Sequence, residues 1–406
     1  MWRRYGDVPY TLLVFAVFCL EVLGLGFLTF TFARRLFGIL PYTQVQGALV
    51  GVIALTAASL SMLTGYVLLY HALTRSREQQ ANQRIEAWTE QWFNAVYGDG
   101  ALPPVPLTSE ALEAGLNLRH LMTGDDGRQL AEALWRTGAA ATLLAQLGSR
   151  RLLDRMEALD GLARARLPTT FAPVIRQITH PEPVVRLMAA RAAARTLAEW
   201  SGPGRQEAID AFARGIGMAD LPSGAAAETM LLLEGNAPGV LSRLLTDEAT
   251  PVSLLRAALD VVGRLRLGEF AYEAAVRISH RDPEVRAAAL RALGRAGRVP
   301  MRARDSVVIA LMDDTEYVRI QAARAAAFVP AKVAAPALYE SLGDRSWWVR
   351  RASAESLLRS GKWGIAALKK AARAHPDRFA RDMAAQVLMD AQVIRPEEVS
   401  RLKAPA

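Results

Sequence analysis

The chain has 406 residues, of which 51% are hydrophobic, 7% aromatic and 22% charged, and its formal net charge is +9. Such a chain is long and apolar enough for a large core, and its many alanines and few aromatics favour packed helix pairs over sheets. The single cysteine, Cys19, excludes a disulfide framework and a cysteine metal site within one chain.

Two long apolar segments lie in the first 73 residues. Residues 9–33 are interrupted only by Glu21, and residues 46–73 carry no charge. Each segment exceeds the roughly 20 residues that cross a bilayer, which predicts a hairpin of two transmembrane helices. Two arginines lie in the connecting loop, whereas five lie beside the outer ends of the spans: Arg3, Arg4, Arg75, Arg77 and Arg84. The positive-inside rule then places the rest of the chain on the cytoplasmic side of an inner or plasma membrane.

Glu21 is an unusual residue for a membrane span, because a carboxylate facing lipid at mid-bilayer costs about 2.5–3.5 kcal/mol. We therefore expect it to face the second helix or a partner. One interpretation is a carboxyl group satisfied inside the hairpin. The other is a docking point for a second membrane protein, with Gly47 and Gly51 as a small-residue face for close helix contact.

Residues 74–106 are predicted to connect the hairpin to the remaining body. Apolar residues recur every three or four positions here, which predicts an amphipathic helix: Ile85, Trp88, Trp92, Phe93 and Val96. That helix either lies along lipid headgroups or packs as a cap on the following domain. The proline-rich residues 99–106 read as a linker.

A short phrase repeats through residues 107–395: a turn with Asp, His or Pro, then an apolar residue, Arg, and a small residue three positions later. The arginines at 256, 286, 319, 350 and 381 are 30, 33, 31 and 31 residues apart. A period in this range indicates stacked helix pairs, because one pair cannot bury its own apolar face. The predicted fold is all-α, a right-handed α-solenoid with one degenerate copy near 221–234, followed by a tail at 396–406.

The repeat phrase resembles the HEAT-like repeats, in the short form first noted in phycobilisome lyases. The best copy begins at Asp282 and reads Asp-Pro-Glu-Val-Arg-Ala-Ala-Ala-Leu-Arg-Ala-Leu-Gly. In that family the repeated Asp and Arg form a ladder along the turns. The resemblance therefore implies pairs among Asp282, Asp314 and Asp344 with Arg286, Arg319 and Arg350. It implies little about activity, since these residues build the stack.

The last repeats form a basic end of the chain. Residues 344–381 contain ten basic and three acidic residues. Aligned on the repeat, Trp348 matches Tyr317 and Glu284. These aromatics either pack on their own turns or form an exposed ridge that anchors a partner. The partner-binding residues predicted for this end are Tyr317, Trp347, Trp348, Arg350, Arg351, Lys362, Trp363, Lys369, Lys370 and Arg373.

Catalytic motifs are missing from the sequence: it has no phosphate-cradling glycine loop, nucleophile elbow or paired carboxylates with a supporting base. His180, His280 and His375 recur at the repeat turns, which favours a structural role. Deoxyhypusine hydroxylase, an iron enzyme built of HEAT repeats, uses His-Glu pairs, and no histidine here is followed by Glu. We predict no catalytic, cofactor or metal site.

The predicted function is a membrane-anchored scaffold that binds protein partners, such as a membrane enzyme complex, at the cytoplasmic face. The first alternative is a HEAT-like nucleic-acid-binding protein or glycosylase that uses the basic C-terminal repeats. The second is a lyase or hydroxylase of the repeat family. Neither nucleic acid nor a small-molecule substrate is the expected partner.

Overall fold

The computed structural model describes residues 42–98, 100–395 and 397, and every regular element in these ranges is helical. The first predicted span, Glu21 and most of the predicted tail lie outside them. The chain divides into two compact units, Met1–Arg84 and Ile85–Ala406. The all-α prediction is confirmed for the described residues.

The first helix, α1, comprises Tyr42–Tyr97. Across the described residues we find no helix with the length and hydropathy that a bilayer span requires. The prediction of a span at 46–73, which falls within α1, is therefore not supported. Gly51 is exposed, and among the described residues a Cβ there would meet nothing within 4 Å, so its predicted contact with the first span stays a prediction. The surroundings of Gly47 fall outside the description.

The end of α1 is a cap on the domain that follows. Trp92 is fully buried, and its Nε1 donates a hydrogen bond of 2.8 Å to the carbonyl of Ala111. Gly115 makes room for the indole, because a Cβ on it would lie 2.8 Å from Trp92 Cε2. Of the two interpretations of this amphipathic segment, the structure shows the cap at Trp92.

Eighteen further α-helices follow in the described residues, linked by short turns and 3₁₀ segments. They are α2 (Ser109–Leu121), α3 (Gly124–Arg136), α4 (Ala139–Gln146), α5 (Leu152–Ala165), α6 (Phe171–Ile175), α7 (Pro183–Ala198), α8 (Arg205–Met218), α9 (Ser223–Leu231), α10 (Ala237–Thr246), α11 (Val252–Arg264), α12 (Ala271–Val276), α13 (Pro283–Ala296), α14 (Arg304–Ile309), α15 (Glu316–Ala326), α16 (Ala331–Ser341), α17 (Trp347–Arg359), α18 (Lys362–Ala374) and α19 (Arg378–Asp390).

From α4 onward the helices form pairs that stack in two layers. The second helix of each pair packs on the second helix of the next, in the order α5, α7, α9, α11, α13, α15, α17 and α19. Most first helices, from α6 to α18, pack on one another in the other layer. This arrangement is an α-solenoid, and the degenerate copy contributes α8 and α9 to it without the repeat arginine.

Small residues hold the second helices close together. The apolar residue before each repeat arginine and the residue four later are buried on one face, as in Val285 with Ala289 and Val318 with Ala322. Residues four apart share one side of a helix, and short side chains there allow neighbouring backbones to approach. The repeat phrase therefore encodes the packing of the layer.

Candidate functional site: the turn edge of the C-terminal repeats

The repeat arginine ties each second helix to the turn before it. In five repeats its Nη1 donates to the carbonyls of the first two turn residues, at 2.6–3.2 Å. The arginines concerned are Arg186, Arg286, Arg319, Arg350 and Arg381. Because this bond needs only backbone acceptors, the arginine keeps its place while the turn residues vary.

The first residue of each turn is either His or Asp, and both accept the same hydrogen bond. His Nδ1 or Asp Oδ1 accepts from the backbone N–H two residues later, at 2.8–3.1 Å. The residues are His180, His280, Asp313, Asp344 and His375. The histidines at these turns therefore hold backbone structure. No group of His, Cys, Asp and Glu suited to a metal ion occurs among the described residues.

Two rungs of an Arg–Asp ladder connect successive repeats. Arg286 Nε and Nη2 donate to the two carboxylate oxygens of Asp313 at 2.8 and 2.9 Å. Arg319 donates to Asp344 in the same way, at 2.8 and 3.1 Å. Burial alone would raise the pKa of Asp313, but the Arg286 guanidinium and the Thr315 amide outweigh it and hold the pKa below its usual range.

The ladder differs from the implied pairing at two residues. Arg286 bonds Asp313 rather than Asp314, because the acceptor is the first residue of the turn and Asp314 is the exposed second one. Asp282 instead caps its own helix, accepting from the amides of Glu284 and Val285.

The ladder stops at Arg350, because the next turn begins with His375 instead of Asp. Arg350 stacks on the ring of Phe379, with its Cζ 5.3 Å from the centroid. Among the described residues, neither Arg350 Nε nor His375 Nε2 has a hydrogen-bond partner, although both atoms are buried. His375 packs on Tyr339, with ring centroids 4.9 Å apart.

Three exposed aromatic side chains occupy the same position in successive repeats. Tyr317, Trp348 and Phe379 are the second residues of α15, α17 and α19, each 31 residues after the last, and are 38%, 60% and 63% exposed. We call these three residues the aromatic column. Trp347 lies beside it, its ring edge-on to Trp348 at 4.7 Å. Alignment of the repeats within the sequence identified two members, Tyr317 and Trp348. Phe379 was missed, although the same 31-residue step identifies it.

The other predicted partner-binding residues lie elsewhere. Lys362 and Trp363 begin α18, after α17 has ended, so they lie about 17 Å along α17 from Trp348. Lys369, Lys370 and Arg373 also belong to α18, in the layer of first helices, and Lys370 Nζ lies over the ring of Tyr339 at 5.5 Å. Arg351 pairs with Glu355 and Asp390, at 2.6 and 3.0 Å. The predicted basic and aromatic end is thus several separate surfaces.

A groove of about 1240 Å³ runs between α14, α16 and α18 on the layer of first helices. Its wall includes exposed Ile309 and Met312, and its charged lining residues are both basic and acidic: Arg319, Arg345, Lys370, Asp313, Asp314, Glu340 and Asp344. It is separate from the aromatic column, which belongs to the layer of second helices.

Comparisons with known proteins agree with the C-terminal part of this description. Residues 273–359 and 305–389 match the family model described as HEAT repeats. This part of the chain consists of HEAT repeats. A search of curated proteins found no significant match.

The solved structures to which this chain is similar include the following two. One is an engineered protein, 18% identical, with 79% of this chain and 97% of that chain covered and a TM-score of 0.35. Another is YibA of Escherichia coli, 14% identical, with 71% and 99% covered and a TM-score of 0.38.

Proposed function

We propose that the protein is a non-catalytic scaffold whose C-terminal HEAT repeats bind a partner protein along the aromatic column. The observation that carries the proposal is the exposure of Tyr317, Trp348 and Phe379 at one repeat position on three adjacent helices. Large aromatic side chains at the centre of an interface contribute much of its binding energy. A row of them on consecutive repeats offers several anchors to one extended segment.

The charges around the column favour a partner segment with acidic residues near its apolar ones. Arg345, in the turn before α17, and Arg378, the first residue of α19, are exposed beside Trp348 and Phe379. Arg350 stacks on Phe379 between them. Toward Tyr317 the balance reverses, because Asp314 and Glu316 are exposed there. Complementary charges orient a partner and speed its encounter more than they add affinity. The segment would therefore bind in one direction.

The test is to crosslink the full chain to its partners in extracts of the native cell and to measure how much partner is captured. The amount captured is compared between a variant of the column and a control variant. We expect Trp348→Ala with Phe379→Ala to lose at least about 2 kcal/mol of binding energy per anchor, roughly 30-fold each. Trp363→Ala is the matched control, since Trp363 is 62% exposed but lies outside the column. Equal capture by both variants would refute the column as the binding site.

Anchoring of this scaffold at the cytoplasmic face of a membrane is a second part of the proposal, and it rests on the sequence of residues 1–73 alone. The charge-free run 46–73 and the excess of arginines outside the loop support it. Extraction of cell membranes with alkaline carbonate tests it. Retention in the pellet is the expected result, and release into the supernatant would contradict it.

A further inference from the structure

A small cleft lined by arginines lies on the layer of second helices, between α13, α15 and α17. Its volume is about 230 Å³, and four of its ten lining residues are arginines: Arg291, Arg295, Arg324 and Arg359. We call it the arginine cleft. It uses residues from the middle and end of the helices, whereas the aromatic column uses their first turns.

The positive charges in the cleft exceed the negative charges available to them. Asp260 is shared, accepting from Arg264 at 2.7 Å and from Arg295 at 3.1 Å, with Arg291 at 3.9 Å. Glu355 lines the cleft, but its carboxylate accepts from Arg351 at 2.6 Å. Within the part of the chain that is described, Arg324 and Arg359 have no ion-pair partner.

The crowding of these guanidinium groups affects Arg291. Burial lowers the pKa of the Arg291 side chain, and the positive charges of Arg295 and Arg256 lower it further, against opposition from Asp260 and Glu284. A bound anion would relieve this repulsion. Guanidinium groups suit phosphate in particular, because their planar N–H pairs bind its oxygens two at a time.

Carboxylates also lie beside the cleft. Asp260 on α11 pairs with Arg291 and Arg295, and Asp390 on α19 pairs with Arg351, whose other partner Glu355 lines the cleft. Duplex DNA carries one negative charge per about 1.7 Å and needs a continuous basic track. A patch confined to three helices, with carboxylates beside it, fits a single dianionic group better.

We propose that the arginine cleft binds the phosphate of a phosphorylated segment in a partner protein. Arginine clusters recognise phosphoserine and phosphothreonine in this way elsewhere. The inference goes beyond the proposed scaffold function, since it names a second surface and a modification that would control binding. The column and the cleft share no residue, so each can fail without the other.

The experiment measures retention of the full chain on two immobilised nine-residue peptide libraries, one with a central phosphoserine and one with serine. We expect phosphoserine to increase retention at least 10-fold. Arg324→Gln with Arg359→Gln should abolish the increase, because it removes the two unpaired guanidinium groups. Both side chains are exposed, and circular dichroism will check that the variant stays folded.

The control variant is Arg281→Gln with Arg302→Gln, which removes the same charge from two exposed sites outside the cleft. It should keep the full phosphoserine effect. Equal retention on both libraries, retention on neither, or equal loss in both variants would overturn the inference. So would displacement by duplex DNA at lower concentration than by free phosphopeptide.

A last arm separates this inference from the scaffold proposal. Partner capture is repeated after the cell extract has been treated with phosphatase. Capture that survives the phosphatase but is lost in Trp348→Ala with Phe379→Ala leaves the column standing and refutes the cleft. The reverse outcome is capture that is lost after phosphatase treatment and in Arg324→Gln with Arg359→Gln, but survives in Trp348→Ala with Phe379→Ala. That outcome supports the cleft and refutes the column.

Discussion

At the scale of single residues, the repeat arginine has two separate roles in the turn. In five repeats one end of its guanidinium holds two backbone carbonyls, and in Arg286 and Arg319 the other end forms an ion pair with the Asp that begins the next turn. Histidine supports its own turn equally well but offers no carboxylate. Each choice between His and Asp therefore decides whether neighbouring turns are joined by an ion pair.

His375→Asp should complete the ladder at its last rung. The new carboxylate would accept from the unpartnered Nε of Arg350 and would still accept from the Asp377 amide. Hydrogen bonds to a charged group contribute about 1.5–3 kcal/mol, and lost packing on Tyr339 offsets part of this, so we expect a net gain of about 1 kcal/mol. Hydrogen exchange of the backbone amides of α18 and α19 measures this gain in stability.

His375→Asn is the control for that change, because an amide oxygen accepts the turn hydrogen bond without adding a charge. It should leave the exchange of α18 and α19 unchanged or faster. If Asp protects these helices no better than Asn does, the ladder contributes nothing at this rung.

A buried ion-pair cluster near the start of the solenoid should make part of the stability depend on pH. Glu199 bonds both Arg119, which is 1% exposed, and Arg166. Burial alone would raise the pKa of Glu199, but the two guanidinium groups outweigh it and hold the pKa below its usual range. Its contribution to folding is therefore present above about pH 4.3 and is lost as the pH falls through the lower folded value.

Glu199→Gln should lower the free energy of unfolding at pH 7, by up to about 3 kcal/mol, because it leaves Arg119 buried without its counter-charge. The difference from wild type should shrink as the pH falls below about 4.3, since only the wild type has that carboxylate to protonate. Urea unfolding at a series of pH values measures both. Glu248→Gln, at an exposed carboxylate, should show neither effect, and a difference that grows on acidification would contradict the assignment.

At the scale of helices, packing depends on where the backbone comes closest. Helices α17 and α18 meet at Gly364, where a Cβ would overlap the carbonyl of Leu357. In α8, by contrast, Gly217 faces open space, with nothing within 4 Å of a Cβ. The same residue type therefore has opposite consequences in the two helices.

Gly364→Ala should loosen the contact between α17 and α18, where the last two helix pairs meet. We expect a loss of about 1–3 kcal/mol, because the added methyl group forces the helices apart in a packed core. Gly217→Ala should instead stabilise by up to about 1 kcal/mol through helix propensity. Thermal unfolding followed by circular dichroism compares them, and a Gly364→Ala protein as stable as Gly217→Ala would refute the close approach.

The elements also show what a sequence can predict. A fixed spacing of Arg, apolar and small residues reveals stacked helix pairs, because one helical face must recur in each unit. The spacing does not reveal which carboxylate of Asp313 and Asp314 a guanidinium reaches, since that depends on the turn's hydrogen bonds. Nor does it reveal the arginine cleft. Its members lie five or nine residues after a repeat arginine, but these positions are not arginine in every repeat, since Glu355 and Phe328 also occupy them. Trp92 was equally compatible with a lipid surface, and only its buried contact with Ala111 decides for the cap.

At the scale of the whole solenoid, stability passes from each repeat to its neighbours. The degenerate copy is the weakest step in this chain of contacts, because α9 has nine residues between α7 with 16 and α11 with 13. A buried polar residue bridges this step. Asn236 Oδ1 accepts from Arg205 Nε at 2.6 Å, while its Nδ2 donates to the carbonyls of Leu197 and Ala198 at the end of α7.

Asn236→Ala should uncouple the repeats before α8 from those after α9. The substitution removes the Nδ2 hydrogen bonds to the carbonyls at the end of α7 and leaves Arg205 Nε without its acceptor. The interaction free energy between the two halves of the solenoid therefore becomes weaker. Urea unfolding should then separate into two transitions where wild type shows one, with hydrogen exchange assigning them to residues 109–198 and 237–394. Ser353→Ala removes a buried hydroxyl that has no partner within the described residues, inside the regular stack, and should keep a single transition. A single, uniformly shifted transition in Asn236→Ala would show that the degenerate copy transmits stability as well as any other repeat.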